Sequence, residues 1–74
     1  MVIKGKVSHV LETWPLQLVV QSEQGRFDIT LSEETRVIRN DAHVSPGELR
    51  PGLTVEVTCR GVAPNITAET VHIG

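Results

Sequence analysis

The segment VSPGELRPGLTVEV, residues 44–57, holds two Pro-Gly pairs directly before a run of alternating apolar and polar residues. Ser45 has the position of a helix N-cap, Pro46 that of the first helical residue and Glu48 that of the third, which is the order of a capping box. The ring of Pro51 disfavours helical geometry at the residue before it, so the helix must end there. We therefore predict a single capped helical turn that redirects the chain.

The second Pro-Gly pair predicts a type II turn, in which Pro51 fixes its own φ and Gly52 takes the positive φ. Directly after this turn, alternation with a period of two predicts a strand. Its expected inward residues are Leu53, Val55, Val57 and Cys59.

Similar alternation recurs in short blocks before and after this segment, and none of the blocks has a convincing helical period. The predicted strands are residues 2–12, 16–22, 27–31 with a short extension after an interruption at Ser32-Glu33-Glu34, 53–60, and a last strand from 66. The residues expected to point inward from the first three strands are Ile3, Gly5, Val7, Leu11, Leu16, Leu18, Val20, Phe27, Ile29 and Leu31.

Two positions interrupt the regular alternation. Gly5 lies inside the first strand, which predicts a bulge or a close approach of another backbone. In the last strand the apolar phase changes by one residue near Glu69 and Thr70, which predicts a β-bulge. The expected inward residues there are Ile66, Ala68, Val71 and Ile73.

Three strands, a helical turn and two more strands are the order of an OB-like β-barrel of five to six strands. The chain of 74 residues has the length of one domain, so we assign residues 1–74 to a single barrel. Closure removes the exposed edges that a small sheet would otherwise present. A split sandwich of similar strands is the alternative architecture.

Composition limits the classes of partner. Seven basic and nine acidic residues give a net charge of −2, whereas nucleic-acid-binding proteins usually gather a basic excess on one face. The absence of a long apolar run predicts no signal peptide and no membrane span. We expect a cytoplasmic protein if Met1 is the native start, and an exported or periplasmic one if the chain is an excised domain.

Several short motifs resemble a bacterial domain-of-unknown-function family with a small OB-like barrel. They are Gly5-Lys6-Val7, Thr35-Arg36-Val37, Leu49-Arg50-Pro51-Gly52-Leu53-Thr54-Val55 and Ala68-Glu69-Thr70-Val71. The resemblance covers nearly the whole chain and implies the barrel, but it implies no catalytic residue. The chain also resembles, more weakly, the lone OB barrel of bacterial translation initiation factor one, which is basic and binds ribosomal RNA.

The sequence shows no arrangement typical of an enzyme or of a metal site. His9, His43, His72 and Cys59 lack paired ligand spacing, so we predict no metal and no cofactor. His9 and His72 are nevertheless expected to be neighbours if the first and last strands pair. The acidic residues Asp28, Glu33 and Glu34 are expected to be solvated, so we predict no catalytic residue and no enzymatic activity.

Four residues are candidates for contact with a partner, namely Trp14, Arg26, Arg36 and Arg39. Trp14 lies in the tip ETWP of the first hairpin, where it either caps one end of the barrel or anchors another chain. The leading hypothesis is a non-catalytic binding or assembly module with a protein partner or self-association. The alternatives are a weak single-stranded nucleic-acid binder and, third, a small-ligand or metal-binding barrel.

Overall fold

Strands make up most of the computed structural model, which describes residues 1–62 and 65–74. The elements, in chain order, are β1 (Val2–Leu11), β2 (Leu16–Ser22), β3 (Gly25–Arg39), β4 (Ala42–Val44), a 3₁₀ turn (Pro46–Glu48), β5 (Thr54–Arg60) and β6 (Ile66–Ile73). The predicted all-β fold, with one short helical turn after the third main strand, is confirmed. In the described part of the chain, no helix has the length and apolar character needed to cross a lipid bilayer.

The strands form one sheet in the order β2-β1-β5-β6-β3-β4, and β2 also pairs with β3. This last pairing closes β1, β2, β3, β6 and β5 into a barrel, and β4 extends the sheet beside the end of β3. The pairing of β3 with β6 is parallel, and the other pairings are antiparallel. The predicted small OB-like barrel is therefore confirmed.

Aliphatic side chains from all five barrel strands fill the interior. The most completely buried include Leu18, Val20, Ile29, Val57 and Val71, which expose no surface. Each lies at a position where the alternating pattern places the side chain on the inner face of its strand. The packed interior leaves the ends of the barrel and its outer face as places where a partner could bind.

The connector between β4 and β5, residues 45–53, folds as its Pro-Gly pairs predict. Ser45 Oγ accepts a hydrogen bond from Gly47 N at 3.1 Å, which confirms the N-cap. Gly52 has a φ of +96°, and Leu53 N donates to Arg50 O at 3.4 Å, as the predicted turn requires. Glu48 differs from a capping box, because its carboxylate accepts a hydrogen bond from Arg39 at 3.0 Å.

This connector is also hydrogen-bonded to β1. Val7 N donates to Leu53 O at 2.9 Å, and Gly52 N donates to Val7 O at 2.7 Å. The turn therefore continues the pairing of β1 with β5 by one residue. The first Pro-Gly pair therefore begins the helical turn, and the second follows its end and places β5 in register against β1.

The bulge in β1 lies at Ser8 and not at Gly5, because the pairing with β2 shifts between Val7 and His9. The extra residue reverses the side-chain phase, so Val10 packs against the core and Leu11 is 44% exposed. The prediction that Leu11 points inward is therefore wrong. The predicted close approach at Gly5 is confirmed, since a Cβ there would overlap the carbonyl group of Gln21.

Strand β3 keeps its extended conformation from Gly25 to Arg39, so the chain itself is not interrupted. The predicted interruption at Ser32-Glu33-Glu34 is present in the pairing of β3 with β6, which skips from Leu31 to Arg36. Thr35 Oγ1 accepts a hydrogen bond from Ser32 N at 2.8 Å and donates one to Ala68 O at 2.6 Å. These bonds hold residues 32–35 as a protrusion from β3, opposite Glu69. The bulge predicted near Glu69 is confirmed, because the pairing of β5 with β6 shifts there.

Strand β4 was not predicted. It follows a tight turn in which Asn40 and Asp41 have φ values of 52° and 62°. Two consecutive positive φ values are typical of the type I′ turn of a hairpin. The Asn-Asp pair is the sequence signal that could have identified this turn.

Candidate functional site

Trp14 lies outside the barrel, in the loop between β1 and β2. The loop is organised by Thr13 Oγ1, which donates a hydrogen bond to Pro15 O at 2.9 Å. The Trp14 residue is 84% exposed, so the interpretation in which its ring caps the barrel is wrong. Its role as an anchor for another chain remains a prediction.

A groove of about 730 Å³ lies at the end of the barrel beside Trp14, and we call it the Trp14 groove. Its base consists of aliphatic side chains from four separate segments, Val10, Leu16, Leu31 and Leu49. Leu31 and Leu49 belong to the buried core, and Val10 and Leu16 pack against that core. The base is therefore the apolar end of the barrel interior itself.

Three polar segments form the walls of the Trp14 groove. They are the hairpin tip 12–15, the protrusion 32–35 of β3, and Pro46 and Gly47 of the helical turn. Each wall is held in place by hydrogen bonds that involve a side-chain hydroxyl, at Thr13, Thr35 and Ser45. Because these bonds lie within the chain, the groove is formed before any partner binds.

The charged residues that line the Trp14 groove are Glu12 and Glu33. Both are exposed, and no lysine or arginine among the described residues lines the groove. Arg39 binds Glu48 on the helical turn, at 3.0 Å, outside the groove lining. The groove therefore combines an aliphatic base, an acidic rim and one exposed indole.

The arginines predicted to contact a partner lie at other places. Arg26 forms an ion pair with Asp28 at 3.2 Å on β3, and Arg39 forms the pair with Glu48. Arg36 lines a smaller cleft of about 300 Å³ together with Arg60, where Glu34 and Glu69 also lie. None of the three arginines lines the groove beside Trp14, so the four candidate residues do not form one site.

The histidines are distributed over β1, β4 and β6. Strand β1 pairs with β2 and β5 and not with β6, so the predicted contact between His9 and His72 through strand pairing is wrong. His43 and His72 are instead the partners of Ile38 from opposite sides. Among residues 1–62 and 65–74, no three His, Cys, Asp or Glu side chains are grouped as metal ligands.

No family model and no curated protein matches this chain. Among solved structures it is similar to the crystal structure of silver(I)-bound CusF, with a TM-score of 0.74 and 8% sequence identity. The similarity covers 100% of this chain and 96% of the CusF chain. At this identity it shows a shared small-barrel fold, and it does not assign the chain to the domain-of-unknown-function family that its motifs resemble.

Silver(I) is a soft cation that favours sulfur ligands, and the sulfur atoms of this chain are in Met1 and Cys59. Cys59 is buried, and burial raises the pKa of its thiol, while the terminal ammonium acts in the opposite direction and Glu69 reinforces the rise. A raised pKa opposes the thiolate form that soft metals bind. The buried thiol of Cys59 is therefore less suited to a silver ion than an exposed cysteine would be.

Proposed function

We propose that this protein is a non-catalytic binding module that docks a segment of a partner protein in the Trp14 groove. The observation that carries the proposal is an indole 84% exposed beside an apolar groove. Large apolar side chains are normally buried, and tryptophan is enriched among the residues that dominate binding energy at interfaces. A place where one borders a preformed concave surface is therefore a typical partner site.

The dimensions of the Trp14 groove support this proposal. Its volume of about 730 Å³ lies within the usual range of ligand pockets and is sufficient for several side chains of a partner. The aliphatic base offers apolar surface to those side chains, and the polar walls place backbone and hydroxyl groups around it. Concave surfaces with an apolar base and a few polar groups are the usual form of a binding site.

The side chains of the Trp14 groove support binding and not catalysis. No histidine or cysteine is among the described residues that line it, so a nucleophile with an adjacent base is not formed there. The hydroxyl of Thr35 is engaged with Ser32 N and Ala68 O. The carboxylates of Glu12 and Glu33 are exposed to water and lack the burial that is typical of a general acid.

The nucleic-acid hypothesis has less support. Barrels of this kind bind single strands through aromatic rings and basic residues on the outer face of β2 and β3. Here Arg26 and Asp28, both on β3, form an ion pair in which the two charges neutralise each other. The exposed indole lies instead beside carboxylates, which repel phosphate groups.

A selection from a displayed random-peptide library against the immobilised protein would test the proposal. The selected peptides would be synthesised and titrated by calorimetry into the parent protein, Trp14→Ala and the control Val62→Ala. Val62 is 81% exposed but does not line the groove. We expect Trp14→Ala to weaken binding by about 30-fold or more, the effect of losing a hot-spot residue.

The control variant should bind with the parent affinity. Failure to select any peptide would contradict the proposal. So would peptides that bind Trp14→Ala as tightly as the parent, because their site would lie elsewhere. Circular dichroism of both variants would verify that the barrel is folded in each titration.

A further inference from the structure

The charges around the Trp14 groove indicate the chemistry of the segment that it binds. We infer that its occupant is a cationic peptide segment of a partner protein, in which aliphatic side chains are flanked by lysine or arginine. This inference rests on the docking function proposed above. Its starting point is that both charged side chains lining the groove, Glu12 and Glu33, are carboxylates.

Neither carboxylate is neutralised within the described part of the chain. The ion pairs found there join Lys4 with Glu56, Arg26 with Asp28 and Arg39 with Glu48. Glu12 and Glu33 take part in none of them, and both are exposed. They can therefore bind a partner's cations without first breaking an internal ion pair.

Trp14 offers a second interaction for the same kind of side chain. Arginine and lysine bind over the face of an indole, and arginine also forms two parallel hydrogen bonds to a carboxylate. Glu12 lies two residues before Trp14 in the same hairpin tip, so a carboxylate and an aromatic face adjoin one wall of the groove. This combination favours a cation and disfavours an acidic segment.

The aliphatic base of the groove indicates that the occupant also has apolar side chains. Val10 and Leu16 are half-buried and present aliphatic surface, whereas Leu31 and Leu49 are almost fully buried. Covering that surface with another aliphatic group displaces water from it and stabilises the complex. A purely basic polymer would leave this surface exposed. A segment that alternates leucine-like side chains with lysine or arginine satisfies both the base and the rim.

A second copy of this chain does not supply such a segment. Its two lysines, Lys4 and Lys6, lie on β1, and the segment in which two arginines flank aliphatic residues, Arg36-Val37-Ile38-Arg39, lies on β3, where it pairs with β4 and β6. Strand β1 pairs with β5 from Val2 to Lys6 and with β2 from Gly5 onward, and Lys4 is bound to Glu56. To enter the groove of a neighbour as an extended segment, these residues would have to leave their own barrel.

Three synthetic nine-residue peptides would test the inference. Each would contain three leucines at alternate positions, and the ends would carry arginine and lysine in the first, glutamine in the second and glutamate in the third. Titration by calorimetry at low salt should show the cationic peptide binding about tenfold tighter than the neutral one, since each exposed charge pair contributes up to about fivefold. High salt should reduce this difference by screening.

Variants assign the preference to the rim of the groove. We expect Glu12→Gln and Glu33→Gln each to reduce the advantage of the cationic peptide by about two- to fivefold and to leave the neutral peptide unchanged. Glu23→Gln is the matched control, because Glu23 is an exposed glutamate outside the groove lining. It should leave all three affinities unchanged.

The outcomes separate this inference from the proposed function. Equal affinity of the cationic and neutral peptides, both lost in Trp14→Ala, would overturn the cationic preference and leave the docking function standing. Failure of all three peptides, together with failure of the library selection, would overturn both. A dimer in sedimentation velocity that Trp14→Ala dissociates would overturn the inference in favour of a second copy.

Discussion

Replacing Trp14 with alanine should lower the stability of the barrel by no more than about 1 kcal/mol. The residue is 84% exposed, so about one sixth of its surface contacts the rest of the protein. A tryptophan side chain buries up to about 250 Å² when it is enclosed, so roughly 40 Å² is buried here, which at about 25 cal/mol per Å² contributes about 1 kcal/mol. A ring that capped the barrel would instead contribute about 3–5 kcal/mol.

Urea denaturation followed by far-ultraviolet circular dichroism would measure this difference, because the variant lacks the only tryptophan that fluorescence could follow. The matched comparison is Leu18→Ala, whose side chain is fully buried and should cost about 2–5 kcal/mol. A loss of 3 kcal/mol or more in Trp14→Ala would refute the account. The ring would then pack into the barrel in solution, and it would not be available to a partner.

Gly5→Ala should lower the free energy of unfolding by about 1–3 kcal/mol, because its Cβ would overlap the carbonyl group of Gln21. Gly47→Ala meets only Ser45 Oγ at 3.4 Å and should change stability by less than about 1 kcal/mol, so equal effects at the two glycines would contradict the packing described for Gly5. Ser45→Ala should cost about 0.5–2 kcal/mol in urea denaturation while Ser45→Asp, which retains an acceptor, should cost less; an unchanged midpoint in the alanine variant would show that the cap is not stabilising. Burial raises the pKa of the Cys59 thiol in the folded protein. Its contribution to the free energy of unfolding is therefore complete below the unfolded pKa of about 8.5, and it is lost as the pH rises from there toward the folded pKa, because the unfolded chain loses the thiol proton first. The urea midpoint should therefore fall with pH above that value, and Cys59→Ala should lack this part of the decline; the same decline in both proteins would assign it to other groups.

Local chemistry was sufficient to predict the connector. The positions of Ser45, Pro46, Pro51 and Gly52 dictate a cap, a helical start, a helical end and a positive φ, and each of these requirements acts within a few residues. Alternation likewise identified the main strands and the bulge at Glu69. The apolar residues on the two sides of that bulge, Ala68 and Val71, are three positions apart and not two, which shows the change of phase. These features depend on neighbouring residues and not on the fold as a whole.

The bulge at Ser8 could not be found in the same way. Regular alternation after Val7 leads to Leu11, and the adjacent Val10 is also aliphatic, so the sequence does not show whether the phase changes. Pairing with β2 decides between them, since Val7 lies opposite Val20 and His9 lies opposite Val19. The choice is made by a partner strand and is not present in the local sequence.

The Trp14 groove was missed for a related reason. Its base joins Val10, Leu16, Leu31 and Leu49, which come from four segments that the fold brings together. Glu33 was expected to be a solvated residue in an interruption of β3, and its position on the rim depends on the protrusion that Thr35 holds against β6. Trp14 itself was identified from sequence because a lone tryptophan in a hairpin tip is conspicuous.

The most direct test of the docking site is a map of nuclear magnetic resonance shifts during titration with the tightest peptide from the library selection. We expect the largest changes at the indole N–H of Trp14 and at the methyl groups of Val10, Leu31 and Leu49, which line the groove. Changes confined to the outer face of β3 around Arg26 and Asp28, with Trp14 unaffected, would contradict the account.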